Sequence, residues 1–525
     1  METALNRSCV VAVIGSGAMG VGIAQIAATA GHPVKLFDLR AGAAEQAAAD
    51  LRRTLQKLAA KGRMSAHDAE RAGERLQTVN SLAELADASL VVEAIIENLD
   101  AKRKLFLDLE AVVGEACVLA SNTSSISITS IAAPLRVPQR LLGMHFFNPA
   151  PLMALVEVVS GLATDPECAD TIFATAAAWG KSPVHTKSTP GFIVNRVARP
   201  YYAEALRLLG EEAGDVATID AIMREAGGFR MGPFELMDLI GHDVNYAVTR
   251  SVFDAYYQDP RFTPSLIQLE LVNAGYLGRK SGRGFYRHGA GVEPALPRTE
   301  ASAPRPNAIV IYPAGHVAEA LTDRLDRAGV VFCAAEAPHA DGRLFDADGC
   351  AIHVTDGRSA TQRAYDLGTP ELALLDHTLD PTQATRIACS FADQASPGAR
   401  RAVIGLLQAA GLAVSLLDDV PGLAVMRTVA MLANEAAEAV NQGVCDAAAA
   451  DLAMQKGVNY PRGPLAWADA IGLENVMTVL DHLARAYGED RYRCSTLIRR
   501  KVCSGVAFHG GEPAVVGRVT EAAHV

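Results

Sequence analysis

A histidine and a glutamate twelve residues apart, His145 and Glu157, are well suited to proton transfer. His145 opens the run His-Phe-Phe-Asn-Pro (145–149), and Glu157 lies within the strand-like run Leu-Val-Glu-Val-Val (155–159). Histidine exchanges protons near neutral pH, and a carboxylate in an apolar strand is costly unless paired. A buried pair would fix the imidazole tautomer and stabilise its protonated form. A lone histidine among aromatic residues is more often a hydrogen-bonded core residue, so this interpretation depends on Glu157.

Two polar clusters follow apolar runs that are predicted to be buried strands. Residues 90–96 lead into Glu97, with Lys102 about one helical turn further on, and residues 118–120 lead into Ser-Asn-Thr-Ser-Ser (121–125). In an open parallel sheet, ligands bind beyond the carboxyl ends of the strands. Such clusters are more often caps and turns than catalysts, so their position is what favours a functional role.

A glycine-rich turn predicts where a dinucleotide would bind. The apolar run 9–14 stops at Gly15, and G-x-G-x-x-G (Gly15, Gly17, Gly20) leads into a helical segment. In this pattern the glycines allow the tight turn, the approach of a pyrophosphate and close helix packing, while the helix N-terminus faces the phosphates. The alternative is a glycine-rich turn in a nucleotide-free domain, but the complete strand–turn–helix context favours dinucleotide binding.

The choice between NAD and NADP depends on Asp38. This residue follows a second strand-like run (33–37) and lies 18 residues after Gly20, near the spacing expected for the acid that binds the ribose hydroxyls. A carboxylate there repels a 2′-phosphate and favours NAD. Arg40 is close by and weakens the discrimination.

Composition limits the remaining possibilities. The 525 residues predict three or four domains, and a net charge of −11 argues against nucleic acid as a main partner. No apolar run approaches the ~18 residues of a membrane span, and the N-terminus has no apolar signal core. The nine cysteines are scattered without C-x-x-C pairs, which predicts free thiols in a reducing cytoplasm. No metal site is predicted.

A basic cluster interrupts this acidic chain. The helical segment 41–78 carries Arg53, Lys57 and Lys61 within a short stretch. A solvated helix face and a landing site for a phosphorylated substrate are equally compatible with the composition.

Taken together, these motifs resemble the 3-hydroxyacyl-CoA dehydrogenase family. The resemblance covers residues 8–288 in the family's order, and its matching pieces are G-S-G-A-M-G (15–20), V-E-A-I-I-E-N (92–98), S-N-T-S-S (121–125), G-M-H-F-F-N-P (143–149), L-V-E-V-V (155–159), T-P-G-F-I-V-N-R (189–196), M-G-P-F-E-L-M-D (231–238) and L-G-R-K-S-G-R-G-F-Y (277–286). It implies an NAD-dependent enzyme that oxidises (3S)-3-hydroxyacyl-CoA to 3-oxoacyl-CoA.

The resemblance also implies roles for individual residues. His145 would take the proton of the C3 hydroxyl, Glu157 would hold the imidazole, and Ser124 and Asn195 would align the substrate. The same resemblance places the CoA phosphates near Arg53, Lys57 and Lys61. It therefore favours a substrate-binding cluster over a solvated helix face. The residues that would contact NAD are Gly15, Gly17, Met19, Gly20, Asp38, Glu97, Lys102, Ser124, Asn148 and Lys280.

The second half of the chain contains a repeat at a constant offset of 231 residues. Pro190-Gly191 maps onto Pro421-Gly422, and Arg196 maps onto Arg427. This predicts a duplicated helical domain. Asn195 maps onto Met426, so the second copy is interpreted as non-catalytic.

The predicted fold class is α/β, with a Rossmann domain, an all-α helical domain, a degenerate Rossmann-like domain and a second helical domain. The expected boundaries are 1–188 for the NAD-binding domain, 189–289 for the first helical domain, 290–414 for a linker and a small domain without its own cofactor, and 415–525 for the second helical domain. Single-copy family members tend to dimerise through the helical domain. The expectation is therefore that the two copies pack on each other in cis as a pseudo-dimer, and a homodimer is also possible.

The two-copy architecture resembles the 3-hydroxyadipyl-CoA dehydrogenases of bacterial phenylacetate breakdown. The alternatives are a short-chain or 3-hydroxybutyryl-CoA dehydrogenase and, from another class, a non-catalytic NAD(H)-binding protein. A terminal carboxylate on the acyl chain needs a cation, and Arg196, Arg199, Arg230 and Arg250 are available. The sequence does not choose among them.

Overall fold

The structure is a computed structural model that describes residues 3–510. These residues form two units: the first contains residues 3–196 and 442–458, and the second contains residues 197–441 and 459–510. The last part of the predicted 415–525 domain, residues 511–525, lies outside the described residues. The helical repeat contributes to both units, because residues 442–458 belong to the first.

The first unit is built on an eight-stranded sheet of order β3-β2-β1-β4-β5-β6-β7-β8. Its strands are β1 (Val10–Ile14), β2 (Val34–Phe37), β3 (Leu76–Thr78), β4 (Ala88–Glu93), β5 (Val118–Ser121), β6 (Leu141–Phe146), β7 (Leu155–Ser160) and β8 (Ser182–Lys187). All neighbours are parallel except β6 and β7. The central strands read as nearly continuous apolar runs because both faces of the sheet are covered.

Helices cover that sheet and connect its parallel strands. They are α1 (Ala18–Ala30), α2 (Ala43–Ala60), α3 (Ala66–Glu74), α4 (Leu99–Glu110), α5 (Ile128–Ala132) and α6 (Pro166–Ala178), with 3₁₀ turns at Leu82–Leu85 and Pro138–Arg140. A short helix α7 (Val194–Val197) follows β8. This confirms the Rossmann architecture that the motifs predicted.

The first helical repeat continues in the second unit. It contains α8 (Arg199–Gly210), α9 (Val216–Glu225), α10 (Pro233–Ile240), α11 (His242–Ala255) and α12 (Leu266–Asn273), with 3₁₀ turns at Pro260–Phe262 and Arg279–Ser281. Asp220 helps to join these helices, because its carboxylate accepts hydrogen bonds from the amides of Phe234 and Glu235 and from the Tyr286 hydroxyl.

A seven-stranded sheet of order β10-β9-β11-β12-β13-β14-β15 follows. Its elements are β9 (Ile309–Ile311), α13 (His316–Arg327), β10 (Cys333–Ala334), β11 (Phe345–Ala347), β12 (Cys350–Val354), α14 (Ala360–Leu367), β13 (Leu372–Leu375), β14 (Arg386–Phe391), α15 (Pro397–Ala409) and β15 (Ala413–Leu416). The sheet is mixed, because β11 runs antiparallel to β9 and β12, and β14 runs antiparallel to β13. This confirms the degenerate Rossmann-like domain.

The second helical repeat reproduces the first at the predicted offset of 231 up to the start of α19, and at an offset of 230 in the last 3₁₀ turn and the last helix. Its helices are α16 (Val425–Asn441), α17 (Ala447–Gly457), α18 (Pro464–Ile471), α19 (Leu473–Tyr487) and α20 (Thr496–Ser504), with a 3₁₀ turn at Asp490–Tyr492. Even the left-handed backbone recurs, with φ 48° at Phe192 and 54° at the equivalent Leu423.

Residues of the two repeats contact each other inside the second unit. Helix α8 packs against α16, and the fully buried Arg427 lies 2.7 Å from Glu204 and 3.0 Å from Glu211. Tyr492 also donates to Glu204. A buried guanidinium shared between two carboxylates and a tyrosine holds the repeats together at this point.

The repeats also exchange their second helices between the two sheets. Helix α9 of the first repeat packs on β14 of the second sheet, where Glu225 pairs with Arg386 at 3.0 Å. Helix α17 of the second repeat packs on β7 and β8 of the first sheet. Each sheet therefore carries a helix from the repeat that does not directly follow it.

Candidate active site

The glycine turn between β1 and α1 fits a dinucleotide. Gly15 has φ 102°, and a Cβ there would collide with the Ala94 carbonyl oxygen. A Cβ on Gly20 would collide with the carbonyl oxygen of Gly15, whereas one on Gly17 would meet no atom within 4 Å. Gly17 is also the N-cap of α1 and supplies no side-chain cap. The open space in front of these amides suits a pyrophosphate, and Met19 packs beside them against the core.

Asp38 closes this region at the end of β2. Its carboxylate accepts hydrogen bonds from the Ser16 amide at 2.8 Å and the Ser16 hydroxyl at 2.6 Å, and it pairs with the exposed Arg40 at 3.1 Å. Burial opposes ionisation, but the hydrogen bonds from Arg40 and Ser16 outweigh it and hold the pKa of Asp38 well below its usual range. The group is therefore an anion at neutral pH, as a ribose-binding acid requires.

The ends of β4 and β5 bring together Glu97, Lys102 and Ser124. The Glu97 carboxylate accepts from the Thr123 hydroxyl at 2.6 Å and from the Ser124 amide at 3.0 Å. Lys102 is 1 % exposed and lies 3.3 Å from Glu97. Burial opposes the charge of Glu97, but the Thr123 hydrogen bond and the Lys102 charge keep its pKa below the usual range. Both polar clusters predicted from the sequence are thus one connected site.

His145 and Glu157 form the pair that the sequence predicted. They face each other across the antiparallel strands β6 and β7, with Nδ1 of His145 2.6 Å from Oε2 of Glu157. The glutamate is fully buried, and the histidine is 5 % exposed. Because a carboxylate accepts, Nδ1 carries the proton and donates, which directs the other ring nitrogen, Nε2, to act as the base.

Glu157 also fixes the backbone that leads to Asn195. Its second oxygen accepts hydrogen bonds from the Ile193 and Val194 amides, both at 3.0 Å. These amides are at the start of α7, which contains Asn195. A single buried carboxylate therefore orients the histidine and positions the helix that carries the candidate substrate-binding amide.

Residues 442–446 of the second repeat contact residues next to this site. The Val444 carbonyl accepts from the Lys187 amide at 2.9 Å at the end of β8, and the Gln442 side chain accepts from Arg196 at 2.9 Å. Burial, together with the charges of Asp446 and Glu157, raises the pKa of the Cys445 thiol to about 12. The second repeat thus contacts Arg196, which follows Asn195, and Cys445 lies within the electrostatic influence of Glu157.

The corresponding place in the second half has lost the acid–base pair. Asp376 follows β13, which matches β6 in the order and directions of the last three strands. Its carboxylate accepts from the amides of Ala424, Val425 and Met426 at 2.7 to 3.0 Å. Adding 231 to residues 193–195 gives these positions. A carboxylate still caps the helix, but it stands where the first half has its histidine.

Comparisons with known proteins agree with this geometry. The model of the 3-hydroxyacyl-CoA dehydrogenase NAD-binding domain matches residues 10–189, and that of the family's C-terminal domain matches residues 191–288 and 422–507. A third, the reduced Rossmann-fold domain of 3-hydroxybutyryl-CoA dehydrogenase, matches residues 352–421. The 3-hydroxyadipyl-CoA dehydrogenase of Escherichia coli (strain K12) is 43% identical over 94% of this chain and 97% of its own length. The chain belongs to the 3-hydroxyacyl-CoA dehydrogenase family.

Other relatives show how the chain is built. A probable 3-hydroxybutyryl-CoA dehydrogenase of Bacillus subtilis (strain 168) is 40% identical over 52% of this chain and 95% of its own length. The crystal structure of 3-hydroxybutyryl-CoA dehydrogenase from Escherichia coli K12 has a TM-score of 0.86 at 41% identity, and the match covers 95% of this chain and 99% of that one. This 3-hydroxyacyl-CoA dehydrogenase is an NAD-dependent oxidoreductase with the longer, two-repeat architecture.

Several residues that the family resemblance singled out are exposed or belong to the second unit. Arg53, Lys57 and Lys61 are exposed at intervals of four residues on or next to α2, and Arg53 pairs with Asp50. Asn148 is exposed. Lys280 belongs to the second unit, where it pairs with Asp243 at 2.5 Å.

The four candidate arginines have different environments. Arg196 is buried and bonded to Gln442, Arg230 is exposed, and Arg250 pairs with Asp254 on the surface. Arg199 is buried and donates to the Thr249 hydroxyl at 3.0 Å. Arg199 and Arg250 belong to α8 and α11 of the second unit, and of these two only Arg199 is buried.

Sequence reasoning missed Glu93 and the segment after α16. Glu93 is fully buried, lies 2.6 Å from Lys102 and accepts from the Ser121 hydroxyl at 2.6 Å. The signal was present, since an acidic residue at the end of an apolar strand needs a partner, as Glu157 does. Gln442 and Cys445 gave no such signal.

No helix in residues 3–510 is long and apolar enough to cross a membrane.

Proposed function

We propose that this dehydrogenase oxidises 3-hydroxyadipyl-CoA to 3-oxoadipyl-CoA, a step in phenylacetate breakdown, with His145 as the general base. The observation that carries the catalytic part is the buried hydrogen bond of 2.6 Å between His145 and Glu157. It gives the imidazole one tautomer and one orientation at the carboxyl ends of the central strands, where ligands of such sheets bind.

In this reaction the proton leaves the C3 hydroxyl oxygen and the hydride leaves C3. Nε2 of His145 accepts the proton of the C3 hydroxyl as the C3–O bond becomes a carbonyl. Bound NAD⁺ supplies the hydride acceptor. Glu157 stabilises the imidazolium that forms and does not itself need to be protonated, because the proton stays on the histidine. In the reverse direction His145 returns the proton to the oxygen.

Ser124 and Asn195 align the substrate in this proposal. Ser124 follows β5, with its amide bonded to Glu97, so its hydroxyl is held near the end of the sheet. Asn195 lies one residue after the amides that Glu157 binds. A hydroxyl and an amide fixed in this way can hydrogen-bond the C3 oxygen and the thioester carbonyl, which favours the reactive geometry.

NAD binding is assigned to two groups of residues. Gly15, Gly17, Met19 and Gly20 form the pyrophosphate turn, and Asp38 binds the ribose hydroxyls. Further contacts to NAD are assigned to Glu97, Lys102, Ser124, Asn148 and Lys280. The exposed row of Arg53, Lys57 and Lys61 would bind the CoA phosphates by ionic contacts.

The acyl preference is supported by the 43% identity to the Escherichia coli 3-hydroxyadipyl-CoA dehydrogenase over 94% of the chain. A 3-hydroxybutyryl-CoA substrate is the alternative, because the structure that matches 95% of the chain is described as a 3-hydroxybutyryl-CoA dehydrogenase. The test is NADH oxidation by the purified protein with 3-oxoadipyl-CoA and acetoacetyl-CoA side by side. A higher kcat/KM for the adipyl compound is expected, and an equal or higher value for acetoacetyl-CoA would overturn the assignment.

We also propose that the two helical repeats form a pseudo-dimer in cis, with domains at 1–188, 189–289, 290–414 and 415–525. The Arg427–Glu204 pair supports this because it joins equivalent helices of the two repeats. A monomer in sedimentation analysis is the expected result, although a further homodimer is compatible with the same contacts. The nine free cysteines favour a reducing cytoplasm.

A further inference from the structure

Glu93 is a fully buried carboxylate that takes no part in the proton transfer. It is the last residue of β4, which lies between β1 and β5 in the first sheet. Removing a carboxylate from water is costly unless nearby charges and hydrogen bonds compensate for it. The partners of Glu93 therefore indicate what the buried charge does.

Three donors surround this carboxylate. Its Oε1 accepts from the Ile95 amide at 2.7 Å and from the Lys102 ammonium at 2.6 Å. Its Oε2 accepts from the Ser121 hydroxyl at 2.6 Å. Ile95 follows β4, Ser121 ends β5, and Lys102 lies on α4. Glu93 thus joins the ends of two neighbouring strands to the helix that follows the first of them.

Lys102 is the cation among these donors, and two carboxylates share it. Its ammonium lies 2.6 Å from Glu93 and 3.3 Å from Glu97. The side chains of Lys102 and Glu93 are 1% and 0% exposed, whereas that of Glu97 is 38% exposed. Attraction between charges is stronger where water is excluded, so Glu93 is the carboxylate that fixes the ammonium. Glu97 is the member of the group that is open to a ligand.

Glu97 connects Lys102 to the turn after β5. Its Oε2 lies 3.3 Å from the Lys102 ammonium. Its Oε1 accepts from the Thr123 hydroxyl at 2.6 Å and from the amides of Ser124 and Ser125 at 3.0 and 3.2 Å. A shift of the ammonium would therefore displace Glu97 and, with it, the turn that carries Ser124.

The second sheet is built differently at the corresponding place. Counted from the last strand of each sheet, β11 occupies the place of β4 and β12 that of β5. Within residues 3–510, no helix lies between β11 and β12, which are antiparallel and joined by residues 348–349, so no residue corresponds to Lys102. The half of the chain to which no cofactor is assigned is thus the half that lacks the buried ion pair.

We propose that Glu93 is a positioning residue for the NAD site, which holds the Lys102 ammonium in place so that the ammonium fixes the carboxylate of Glu97. This inference rests on the proposed function, which assigns Glu97 and Lys102 to NAD. Glu93 itself is fully buried and acts through its partners. A carboxylate that is held in one position before the cofactor binds loses no conformational freedom on binding, which favours affinity.

The test compares Glu93→Gln, Lys102→Met and the double variant with two controls. Glutamine keeps the shape of Glu93: its amide oxygen can accept from Lys102 and its nitrogen can donate to the Ser121 oxygen, so only the charge is removed. The control Ser121→Ala removes one hydrogen bond of Glu93 and leaves its charge. The control Glu110→Gln changes another buried carboxylate, the last residue of α4. The dissociation constant of NADH is measured by fluorescence titration, and urea denaturation shows whether each variant is folded.

The dissociation constant of NADH should be about tenfold higher for Glu93→Gln than for the wild type, because a neutral amide holds the ammonium less firmly than a carboxylate does. The double variant should bind NADH as Lys102→Met does, since the loss of Glu93 adds nothing once the ammonium is gone. Ser121→Ala and Glu110→Gln should stay within about threefold of the wild type.

A dissociation constant for folded Glu93→Gln within about threefold of the wild type would overturn the proposal. Additive losses of binding free energy in the double variant would also overturn it, because Glu93 would then act independently of Lys102. An equal loss in Ser121→Ala would assign the effect to hydrogen bonding instead of charge, and the proposal would be wrong. Lys102→Met leaves Glu93 buried without a cation and is the variant at risk of unfolding. If it unfolds, the comparison of Glu93→Gln with Ser121→Ala decides.

The variant Glu97→Gln tests the underlying assignment separately. If it binds NADH as the wild type does, Glu97 is not part of the NAD site, and the proposal fails together with that assignment. If Glu97→Gln loses affinity and Glu93→Gln does not, the assignment stands and only the positioning role is wrong. The acyl-CoA substrate takes no part in these titrations, so a failure of the proposed adipyl preference would leave their results unchanged.

Discussion

Replacing Glu157 by glutamine should slow catalysis without moving the residues around it. Glutamine has the same shape, and its oxygen can still accept from the Ile193 and Val194 amides that Glu157 binds at 3.0 Å. The negative charge beside His145 is lost, and the amide nitrogen that replaces Oε2 donates to Nδ1, so the imidazole proton moves to Nε2 and the ring has the wrong tautomer for a base. We therefore expect kcat to fall while the KM for acyl-CoA and the affinity for NADH stay within about threefold of the wild type.

The magnitude follows from the geometry of the pair. With Nδ1 and Oε2 2.6 Å apart, the two charge centres are about 4 Å from each other once the imidazole is protonated. At an effective dielectric constant of about 20, the attraction between two such charges is roughly 4 kcal/mol. Part of it develops before the transition state is passed. Since about 1.4 kcal/mol corresponds to a factor of ten in rate, the expected fall in kcat is about 10²- to 10³-fold.

The assay is steady-state NADH formation from the hydroxyacyl-CoA, with NADH affinity measured by fluorescence titration. The matched control is Glu110→Gln. Glu110 is a buried carboxylate of the same unit that accepts from the Arg136 and Val137 amides at 2.8 and 2.9 Å. It should leave kcat within about twofold. A kcat for Glu157→Gln within tenfold of the wild type would refute the charge argument, and an equal fall in the control would show that lost packing is responsible.

Three further changes test other parts of the structure. Asp38→Ser removes the carboxylate next to Arg40, so the ratio of kcat/KM for NAD to that for NADP should fall at least tenfold in initial-rate assays. Arg427→Met leaves Glu204 buried without its partner at 2.7 Å, so urea denaturation should show a loss of about 3–5 kcal/mol in the free energy of unfolding. Asp376→Asn tests pH dependence: burial raises the pKa of Asp376 from 3.8 to about 6, so the carboxyl stabilises the fold at low pH and this contribution is lost as pH rises toward 6. Between pH 4.5 and 7 the wild type should lose roughly 2 kcal/mol relative to this variant.

For each of these variants, one result would contradict the prediction. An unchanged cofactor ratio in Asp38→Ser would mean that the turn excludes NADP by shape. For Arg427→Met, the control is Arg298→Met, which removes an exposed ion pair to Asp215 and should lower the free energy of unfolding by less than about 1 kcal/mol. Equal losses in the two variants would show that burial does not strengthen the Arg427–Glu204 pair. A stability difference between Asp376→Asn and the wild type that is constant with pH would mean that the carboxyl does not titrate in this range.

The parts of the site that could be predicted from the sequence are those encoded locally. The glycine turn and Asp38 belong to one strand–helix–strand unit, and His145 and Glu157 lie on strands that are neighbours in sequence. A carboxylate in an apolar strand needs a partner. His145, the histidine that precedes Glu157 in the sequence, is that partner in the structure. The two-repeat organisation was equally accessible, because the offset of 231 residues does not vary between Pro190 and His242.

The parts that could not be predicted depend on contacts between residues far apart in the sequence, or on a charged residue within a buried strand. Arg196 meets Gln442, which is 246 residues away, and no local pattern of either residue indicates the other. All six residues of strand β14 are buried. It begins with Arg386, whose charge is satisfied by Glu225 and by the Ser415 hydroxyl. An arginine at that position lowers the apparent hydrophobicity of a strand that has a neighbour on each side.

The exchange of α9 and α17 between the two sheets determines how the specific activity depends on protein concentration. If the two halves were separate chains, the contact of α17 with β8 would exist only above their dissociation constant, and activity per site would fall as the enzyme was diluted. A covalent connection replaces that concentration by a fixed effective one, set by the linker and independent of how much protein is present. The specific activity of this enzyme should therefore stay constant down to nanomolar concentrations. Within residues 3–510, the second half has no counterpart of the His145–Glu157 pair and supports the first sheet through α17.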